Sequence, residues 1–420
     1  MQTDSGASPD TALDVPRSTL GRAAVSLRHR DFRLLTLGIT SANAGYWALV
    51  VAQGWLVVEL TDSKLALGVV NACLSLPFLF FALPAGVIAD RADRRLIMSI
   101  TRGSLPLLMV ALIALTLSGL ITVWLLAVIM FAAGCCFASD LPARQALVAE
   151  LVEPEEIANA MAIYQMIFNG TTLVGPSIGG FILAWTGPSG AFGLTALGNA
   201  GFFVIIQMMR FPARARRKER RSIRREMLQG LGYVLRSPVL RPIILLGAGL
   251  SILVQPYQAF LPAVAKDMLF VGAGMLGILF AAGGAGSVLG AAGIAALGDV
   301  RHKGRILLGA SLALGLVLVL VALSRSLPLT LLLLGLLGLA LAVDTTMTNT
   351  VLLTAAPDDL RGRVMSINVL VFGLAPLGNV VLGVIADAVG VPAALAAGGL
   401  GLAAVTALAA ISSRRLWRLS

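Results

Sequence analysis

Apolar residues gather in about a dozen long blocks along this 420-residue chain, and short polar segments separate the blocks. Each block is close to the roughly 20 residues that a helix needs to cross the hydrocarbon core of a bilayer. Charged residues make up 13% of the chain, whereas a soluble domain has about 25%. The chain is therefore expected to lie in a membrane, and catalysis in an aqueous domain, DNA binding and a disulfide scaffold are excluded.

The blocks predict an all-α membrane protein with twelve transmembrane helices in two six-helix halves. An α-helix satisfies its backbone hydrogen bonds internally, and the blocks are too long and too uniformly apolar for barrel strands. The predicted helices lie near residues 33–60, 65–89, 96–117, 121–143, 157–184, 188–210, 238–264, 272–298, 304–324, 327–350, 363–388 and 391–412. The halves thus cover 33–210 and 238–412, with an N-terminal tail (1–32), a basic linker (211–237) and a C-terminal tail (413–420).

The basic residues indicate how the helices are oriented. Of the 32 Lys and Arg residues, all but three fall on the side that carries both termini, the exceptions being Lys64, Lys266 and Arg325. Positively charged loops stay in the cytoplasm, so both termini are predicted to be cytoplasmic in a bacterial cell membrane. The net charge of +11 then reflects topology and not a nucleic-acid partner. The basic linker is either an amphipathic helix on anionic membrane lipids or a charged connection without a partner.

The two halves of the chain resemble each other weakly. A shift of about 204 residues places Asp140 on Asp344, and a shift of about 211 places Tyr46 on Tyr257. Duplicated halves are typical of secondary transporters, which bind substrate between the repeats near the middle of the membrane. The duplication therefore favours a transporter.

A motif between predicted helices 2 and 3 contains, in order, a glycine, three residues, Asp-Arg, two residues and two arginines. Its members are Gly86, Asp90, Arg91, Arg94 and Arg95. This motif resembles the signature loop of the major facilitator superfamily, except that Asp93 stands where the family has a glycine. The resemblance implies two pseudo-symmetric halves, alternating access, monomeric function and a gate in which Asp90 meets the positive N-terminal end of helix 11.

Two further motifs extend the resemblance over essentially the whole chain. Predicted helix 5 is similar to a motif of exporters that exchange substrate for protons, through Gly175, Pro176, Gly179 and Gly180. The segments Leu141-Pro142-Ala143-Arg144-Gln145 and Arg361-Gly362-Arg363 resemble the branch that contains enterobactin exporters and macrolide-efflux-like proteins. The helix 5 glycines are expected to permit close packing and not to contact substrate.

Two acids, Asp140 and Asp344, are predicted to lie inside the cytoplasmic half of a helix, where an ionised carboxylate is costly and usually functional. One hypothesis makes them proton carriers. The other makes them gate acids that pair with basic residues near the cytoplasmic surface. The expected partners are Arg94 or Arg95 for Asp140, and Arg301, Lys303 or Arg305 for Asp344.

A polar face on predicted helices 1 and 7 is expected to line a central cavity, since the resemblance implies that helices 1, 4, 7 and 10 surround one. Side chains spaced by three and four residues share a helix face. The candidates are Asn43, Tyr46 and Gln53 on helix 1 and Ser251, Gln255, Tyr257 and Gln258 on helix 7, where Pro256 predicts a kink. Such a lining would suit a bulky amphipathic molecule. Alternatively, these residues form hydrogen bonds between helices.

The leading prediction is a secondary-active exporter of an amphipathic small molecule, such as a drug, siderophore or secondary metabolite, with protons as the coupling ion. No nucleotide-binding motif is present, so a gradient must supply the energy. A proton-coupled importer is the first alternative, and a non-transporting receptor or scaffold is the second. His29 and His302 lie in loops without a matching acid or metal cluster, so no enzyme activity, metal or cofactor is expected.

Overall fold

The computed structural model describes residues 25–91, 93–211, 231–298, 301–357, 360–412 and 417, and it describes their side chains except at 81–91, 169 and 173. The described residues form helices and no strand. Most of the predicted basic linker and of the two predicted tails lies outside these residues. The fold is therefore that of the helical bundle itself.

The first half contains six helices. α1 spans Arg30–Leu60, α2 spans Lys64–Arg91, α3 spans Arg94–Leu117 and α4 spans Val123–Glu150. The stretch Ile157–Met208 is helical except at Gly187, which has φ 68° and ψ −174°. Glycine adopts such a backbone conformation without steric cost. This stretch is therefore two helices that meet at Gly187, α5 (157–186) and α6 (188–208).

The second half also contains six helices. They are α7 (Leu240–Met268), α8 (Ala273–Leu297), α9 (Lys303–Leu323), α10 (Leu327–Ala355), α11 (Arg361–Val389) and α12 (Val391–Ser412). In the described part of the chain, ten helices are long and apolar enough to cross a membrane when α5 and α6 count as one, and α2 contributes a shorter apolar stretch, Lys64–Phe80. With α5 and α6 separated and α2 included, the described bundle has the twelve helices that the sequence predicts.

The end of α4 differs most from the predicted helix boundaries. The apolar block ends near residue 143, but the helix continues to Glu150. The extension begins with Arg144 and is rich in residues that favour helix, such as alanine, leucine and glutamine. Arg144, which the sequence places after the helix, therefore lies within it.

The helices of each half pack mainly on one another. In the first half α1 packs along α5 and α6, and α2 and α3 pack on α4; in the second half α8 and α9 pack on α10, and α12 packs on α9 and α11. Between the halves, α2 packs on the second part of α11 (Ala375–Val389), α5 packs on α8, and α1 contacts α7. This is the arrangement of two six-helix halves that the resemblance implies.

The halves contact each other mainly at one end of the bundle. We call the end with Arg30 and Ser412 the terminal face, and the end with the α1–α2 connection (61–63) the distal face. Near the distal face, Gly180 of α5 meets Gly277 of α8, and the second part of α11 lies against α2. The first part of α11, Arg361–Phe372, packs mainly on α7 and α10 in its own half. The halves are thus joined on the distal side in this conformation.

Candidate functional site: two buried acids and a central polar face

Asp140 on α4 lies in a buried pocket with two arginines and is fully shielded from solvent. Arg102 of α3 donates from Nε to Asp140 Oδ1 at 3.1 Å and from Nη2 to Oδ2. The Nε atom of Arg144 lies 3.6 Å from Oδ2. Paired hydrogen bonds from one guanidinium are the strongest arrangement for a carboxylate. Both oxygens of Asp140 are therefore matched by positive charge.

Arg102 is held by further contacts within the first half. Its Nη1 donates to Asn199 Oδ1 of α6 at 2.7 Å, and its guanidinium carbon lies 4.9 Å from the ring centre of Phe202. Only 2% of Arg102 is exposed. Arg102 lies eight residues after the start of α3 and therefore not in a loop on the side that carries the termini, where the charge pattern places it. A single arginine within an apolar helix is the sequence signal that could have identified it.

The expected pairing of Asp140 with Arg94 or Arg95 is not found. Arg94 Nη1 pairs instead with Glu150 Oε1 at 2.5 Å, and Arg95 Nη2 donates to the carbonyl oxygen of Gln207 at 3.0 Å. The reason is the extra length of α4, which places Glu150 nearer the terminal face and leaves Asp140 deeper in the bundle.

The signature loop has its own turn chemistry. Asp93 caps the start of α3, since its side chain accepts the Arg95 backbone N–H at 2.8 Å with φ −66°. This conformation does not require the glycine that the family pattern has there. Gly86, Asp90 and Arg91 belong to the last turns of α2, but their side chains, and hence the expected contact of Asp90 with α11, lie outside the described residues.

Asp344 on α10 lies in the corresponding pocket of the second half and is 4% exposed. Ser311 Oγ of α9 donates a hydrogen bond to Asp344 Oδ1. Within the described ranges, no basic side chain forms an ion pair with Asp344, so the expected pairing with Arg301, Lys303 or Arg305 is not found. Arg301 precedes α9, and Lys303 and Arg305 lie in its first turn, whereas Ser311 lies eight residues after the start of that helix.

The two pockets occupy equivalent positions. Arg102 lies eight residues after the start of α3, and Ser311 lies eight residues after the start of α9. Each contacts the acid on the helix that follows, Asp140 or Asp344. The carboxylate is therefore retained in both halves, whereas its partner is a cation in one half and a hydroxyl in the other.

Arg361 and Arg363 lie in the first turn of α11, at the terminal face. Arg361 donates from Nε to the carbonyl oxygen of Leu353 at 2.8 Å and so joins the start of α11 to the end of α10. Arg363, two residues further along α11, is half-buried. In the first half, the guanidinium carbon of Arg144 on α4 lies 5.7 Å from the ring centre of Tyr164 on α5.

A contact with the residues before α1 corrects the expectation for His29. Its Nε2 lies 2.8 Å from Glu156 Oε2, and Arg28 pairs with the other oxygen of the same carboxylate. Ser26 Oγ donates to Asn159 Oδ1 at 2.9 Å. His29 therefore has an acidic partner from the α4–α5 connection, which lies 127 residues away in sequence.

The candidate cavity residues of α1 divide into two groups. Asn43 and Gln53 are buried, and Gln53 Nε2 donates to Asn71 Oδ1 of α2 at 3.3 Å. Tyr46 is half-buried, and its ring meets that of Phe137 on α4 edge-on at 5.0 Å between centres. Gln53 thus joins two helices, whereas Tyr46 remains partly accessible.

The candidates on α7 surround an irregular part of that helix. The residues Leu250–Val254 form a π-helix, and regular α-helix resumes at Tyr257 after Pro256, where a kink is predicted. Ser251 and Tyr257 are buried, while Gln255 and Gln258 are half-buried. A π-helical turn rotates the following side chains relative to a regular helix and often occurs at functional sites.

The helix 5 motif forms a packing surface. A Cβ atom on Gly175 would lie 2.8 Å from Cβ of Trp47, and one on Gly179 would lie 2.7 Å from Cα of Ala48, both on α1. A Cβ on Gly180 would overlap the backbone of Gly277 in the other half. Together with Pro176, which lies within the helix, these residues bring α5 against α1 and α8.

Comparison with known sequences gives consistent matches. A family model described as a transmembrane secretion effector matches residues 22–418. The multidrug efflux pump Tap of Mycolicibacterium fortuitum is 27% identical over 372 residues, which are 86% of this chain and 90% of that protein. The enterobactin exporter EntS of Escherichia coli is 29% identical over 283 residues, 66% of each chain. The staphyloferrin A transporter of Staphylococcus aureus is 31% identical over 142 residues, 33% of this chain and 36% of that protein.

Solved structures share the fold. A variant of the nucleoside transporter NupG superimposes with a TM-score of 0.74 at 12% identity, covering 92% of this chain and 100% of that one. A bacterial homologue of the lysosomal transporter Spinster, in an inward-facing and occupied conformation, gives a TM-score of 0.70 at 15% identity, covering 93% of this chain and 96% of that one. At these identities the similarity shows the two-half helical fold alone.

Proposed function

The chain belongs to the transmembrane secretion effector family of the major facilitator superfamily, and from this premise we propose that it is a proton-coupled exporter of amphipathic small molecules. It is a membrane transporter and not an enzyme. Relatives named as a multidrug efflux pump and an enterobactin exporter support export as the direction and drugs, siderophores or secondary metabolites as the substrate class.

The proposed cycle is alternating access of the two halves around a central site. The distal contacts described above hold the halves together on one side, which supports an opening towards the terminal face. The basic residues of that face favour the cytoplasm as its compartment. In this proposal the conformation is the one that receives substrate from inside a bacterial cell, and a single chain completes the cycle.

The observation that carries proton coupling is the environment of Asp344. This carboxylate is almost fully buried beside the Ser311 hydroxyl, and no described basic side chain pairs with it. A buried carboxylate without a cation is costly in its ionised form, and uptake of a proton removes that cost. Asp344 is therefore the proposed proton carrier. Asp140 is not, because the guanidinium of Arg102 already compensates its charge through two hydrogen bonds.

The proposed substrate site lies between α1, α4, α7 and α10. Its accessible polar groups are those of Tyr46, Gln255 and Gln258, and the ring of Phe137 extends the aromatic surface beside Tyr46. These groups offer hydrogen bonds and ring surface without a fixed charge, which suits a molecule with both apolar and polar parts.

Transport in everted membrane vesicles tests the proposal. The terminal face then faces the medium, so an exporter moves the fluorescent probes ethidium and Nile red into the vesicle lumen. An acid lumen is expected to accelerate uptake relative to vesicles that lack the protein, and a protonophore is expected to abolish the acceleration. Uptake that ignores the pH gradient would overturn proton coupling.

The direction of transport has a separate test in intact cells. Overexpression is expected to lower the accumulation of both probes, and deletion is expected to raise it. Higher accumulation on overexpression would instead favour the proton-coupled importer. Absence of any transport difference in cells and vesicles would favour a receptor or scaffold.

A further inference from the structure

The five-residue sequence Gly-Val-Ile-Ala-Asp occurs twice in this chain, at residues 86–90 and 383–387. The first copy lies near the end of α2, and the second lies near the end of α11. These two helices come from opposite halves and pack against each other in antiparallel directions. Each copy therefore ends in an aspartate near the end of its own helix. Because the helices are antiparallel, this is the same height in the bundle at which the other helix begins.

At the distal face, Asp387 caps the first turn of α2. Its Oδ1 accepts the backbone N–H of Lys64 at 2.7 Å and that of Leu65 at 3.4 Å. The first N–H groups of a helix have no partner within the helix, and a carboxylate there also meets the positive end of the helix dipole. The cap belongs to the other half of the protein, so this hydrogen bond exists only while the distal side is closed.

Close backbone approach makes this cap possible. A Cβ atom on Gly383, one turn before Asp387, would lie 3.3 Å from Cα of Leu65, and one on Gly68 would overlap the backbone of Asn379. Glycine at both positions brings the axes of α2 and α11 together at the distal face. The close approach therefore depends on Gly383, which belongs to the repeated sequence, and on Gly68 of the helix that packs against it.

Two side-chain contacts reinforce the cap. Lys64 Nζ lies 2.6 Å from Asp267 Oδ2 at the end of α7, with the two side chains 16% and 34% exposed. Lys266 Nζ donates to the carbonyl oxygen of Val58 at the end of α1 at 2.8 Å. Each contact joins one half to the other, and both lie at the distal face. Lys64 thus bonds to two helices of the second half, through its backbone and through its side chain.

We propose that Asp387 is a conformational latch, which stabilises the state closed at the distal face by capping α2 across the interface between the halves. We call Lys64, Asp267 and Asp387 the distal latch. The other copy of the sequence places Asp90 at the level where α11 begins, at the terminal face. Opening of the distal face breaks the Asp387 cap. This inference rests on the alternating access proposed above.

Spin-label distances between the halves test the latch without substrate or gradient. Labels at the exposed positions Leu120 and Ser326 report the distal face, and labels at Glu155 and Thr354 report the terminal face, after replacement of the three cysteines. Asp387→Asn is expected to raise the ratio of distal-open to distal-closed protein about three- to tenfold, as expected for loss of a charged cap. Asp62→Asn removes an exposed acid of the same face and is expected to leave the ratio unchanged.

A matched pair at Lys64 isolates the backbone hydrogen bond. Lys64 is the first residue of α2, where proline is well tolerated because no helical partner for its N–H exists. Lys64→Ala removes the ammonium group, which pairs with Asp267 and attracts Asp387, and keeps the backbone N–H. Lys64→Pro removes the same ammonium group and also the N–H that Asp387 accepts. We expect a larger shift towards distal opening for Lys64→Pro. Adding Asp387→Asn to Lys64→Pro should shift the ratio less than Asp387→Asn does alone, because only the longer bond from the Leu65 N–H remains to be lost.

Equal ratios in Lys64→Ala and Lys64→Pro, or an unchanged ratio in Asp387→Asn, would overturn the latch. Both results are distances between spin labels, so they do not depend on proton coupling or on export. If the vesicle assays fail while the distances shift as expected, the latch holds and the proposed function does not.

Discussion

The two halves contain the same buried-acid pocket in two chemical versions. In the first half Asp140 is bound by Arg102, with Arg144 nearby, and in the second half Asp344 is bound by the hydroxyl of Ser311. A duplicated fold thus places equivalent carboxylates at equivalent positions, and the residue eight positions into the preceding helix supplies a cation to one and a hydroxyl to the other. Under the proposed function, this one difference separates a structural ion pair in the first half from a proton carrier in the second.

The energetics of burial explain the separation. Removing a carboxylate from water is unfavourable unless a cation and hydrogen bonds compensate the loss. Arg102 supplies both in the first half, and it is itself held by Asn199 and by the ring of Phe202. In the second half a single hydroxyl supplies a hydrogen bond without charge. Under the proposed function, uptake of a proton compensates the burial of Asp344.

The largest expected effect is loss of the ion pair in the first half. Arg102→Met leaves Asp140 buried without its main cation, and we expect the free energy of unfolding to fall by about 3 to 5 kcal/mol. Titration with sodium dodecyl sulfate in mixed micelles measures this change. The double variant Arg102→Met/Asp140→Asn is expected to recover a substantial part of the loss, because no unpaired charge remains. Equal stability of the single and double variants would contradict the role assigned to the pair.

A smaller effect on stability, but a large one on coupling, is expected at the second pocket. Asp344→Asn removes the proposed proton carrier, so the acceleration of probe uptake by an acid lumen should fall at least about tenfold, equivalent to about 1.4 kcal/mol. Stability should change little, since the amide is neutral and can still accept from Ser311. Asp140→Asn is the matched control. The folded fraction of Asp140→Asn should keep its response to the pH gradient. Loss of that response in Asp140→Asn, with its retention in Asp344→Asn, would contradict the roles proposed for the two acids.

Much of the fold follows from the sequence because hydrophobic block length is a direct consequence of membrane thickness. The number of helices follows from the lengths of the apolar blocks. The break between α5 and α6 coincides with Gly187 and Pro188. The irregularity of α7 lies at Pro256, which lacks a backbone N–H donor. The end of α4 could not be predicted, because Arg144 and Gln145 interrupt the apolar pattern although both residues favour helix. Hydropathy detects segments that are buried in lipid, but it does not detect polar residues that are buried within the protein.

The site was predicted in part. Asp140 and Asp344 were identified because acids are rare in apolar helices, and the structure shows them buried. Their partners were missed because a pairing depends on which faces of α3, α4, α9 and α10 meet, which one sequence does not specify. Arg102 carried a detectable signal as an isolated arginine within a helix. Ser311 carried none, because serine within a membrane helix is common and usually bonds its own backbone.

The smallest expected effect is at Ser311. It distinguishes two roles of Asp344, which either carries the proton by itself or needs its hydroxyl partner for transport. Ser311→Ala removes the hydrogen bond to Asp344 but leaves the carboxylate in place, so we expect a loss of about 1 kcal/mol in the free energy of unfolding. Gradient-driven uptake should persist, because the proton site is retained. Ser287→Ala is the matched control in the same half, since that hydroxyl lies 3.1 Å from the carbonyl oxygens of Gly283 and Gly338 and not near an acid. Abolition of the gradient response by Ser311→Ala alone would mean that the hydroxyl, and not only Asp344, carries the coupling step.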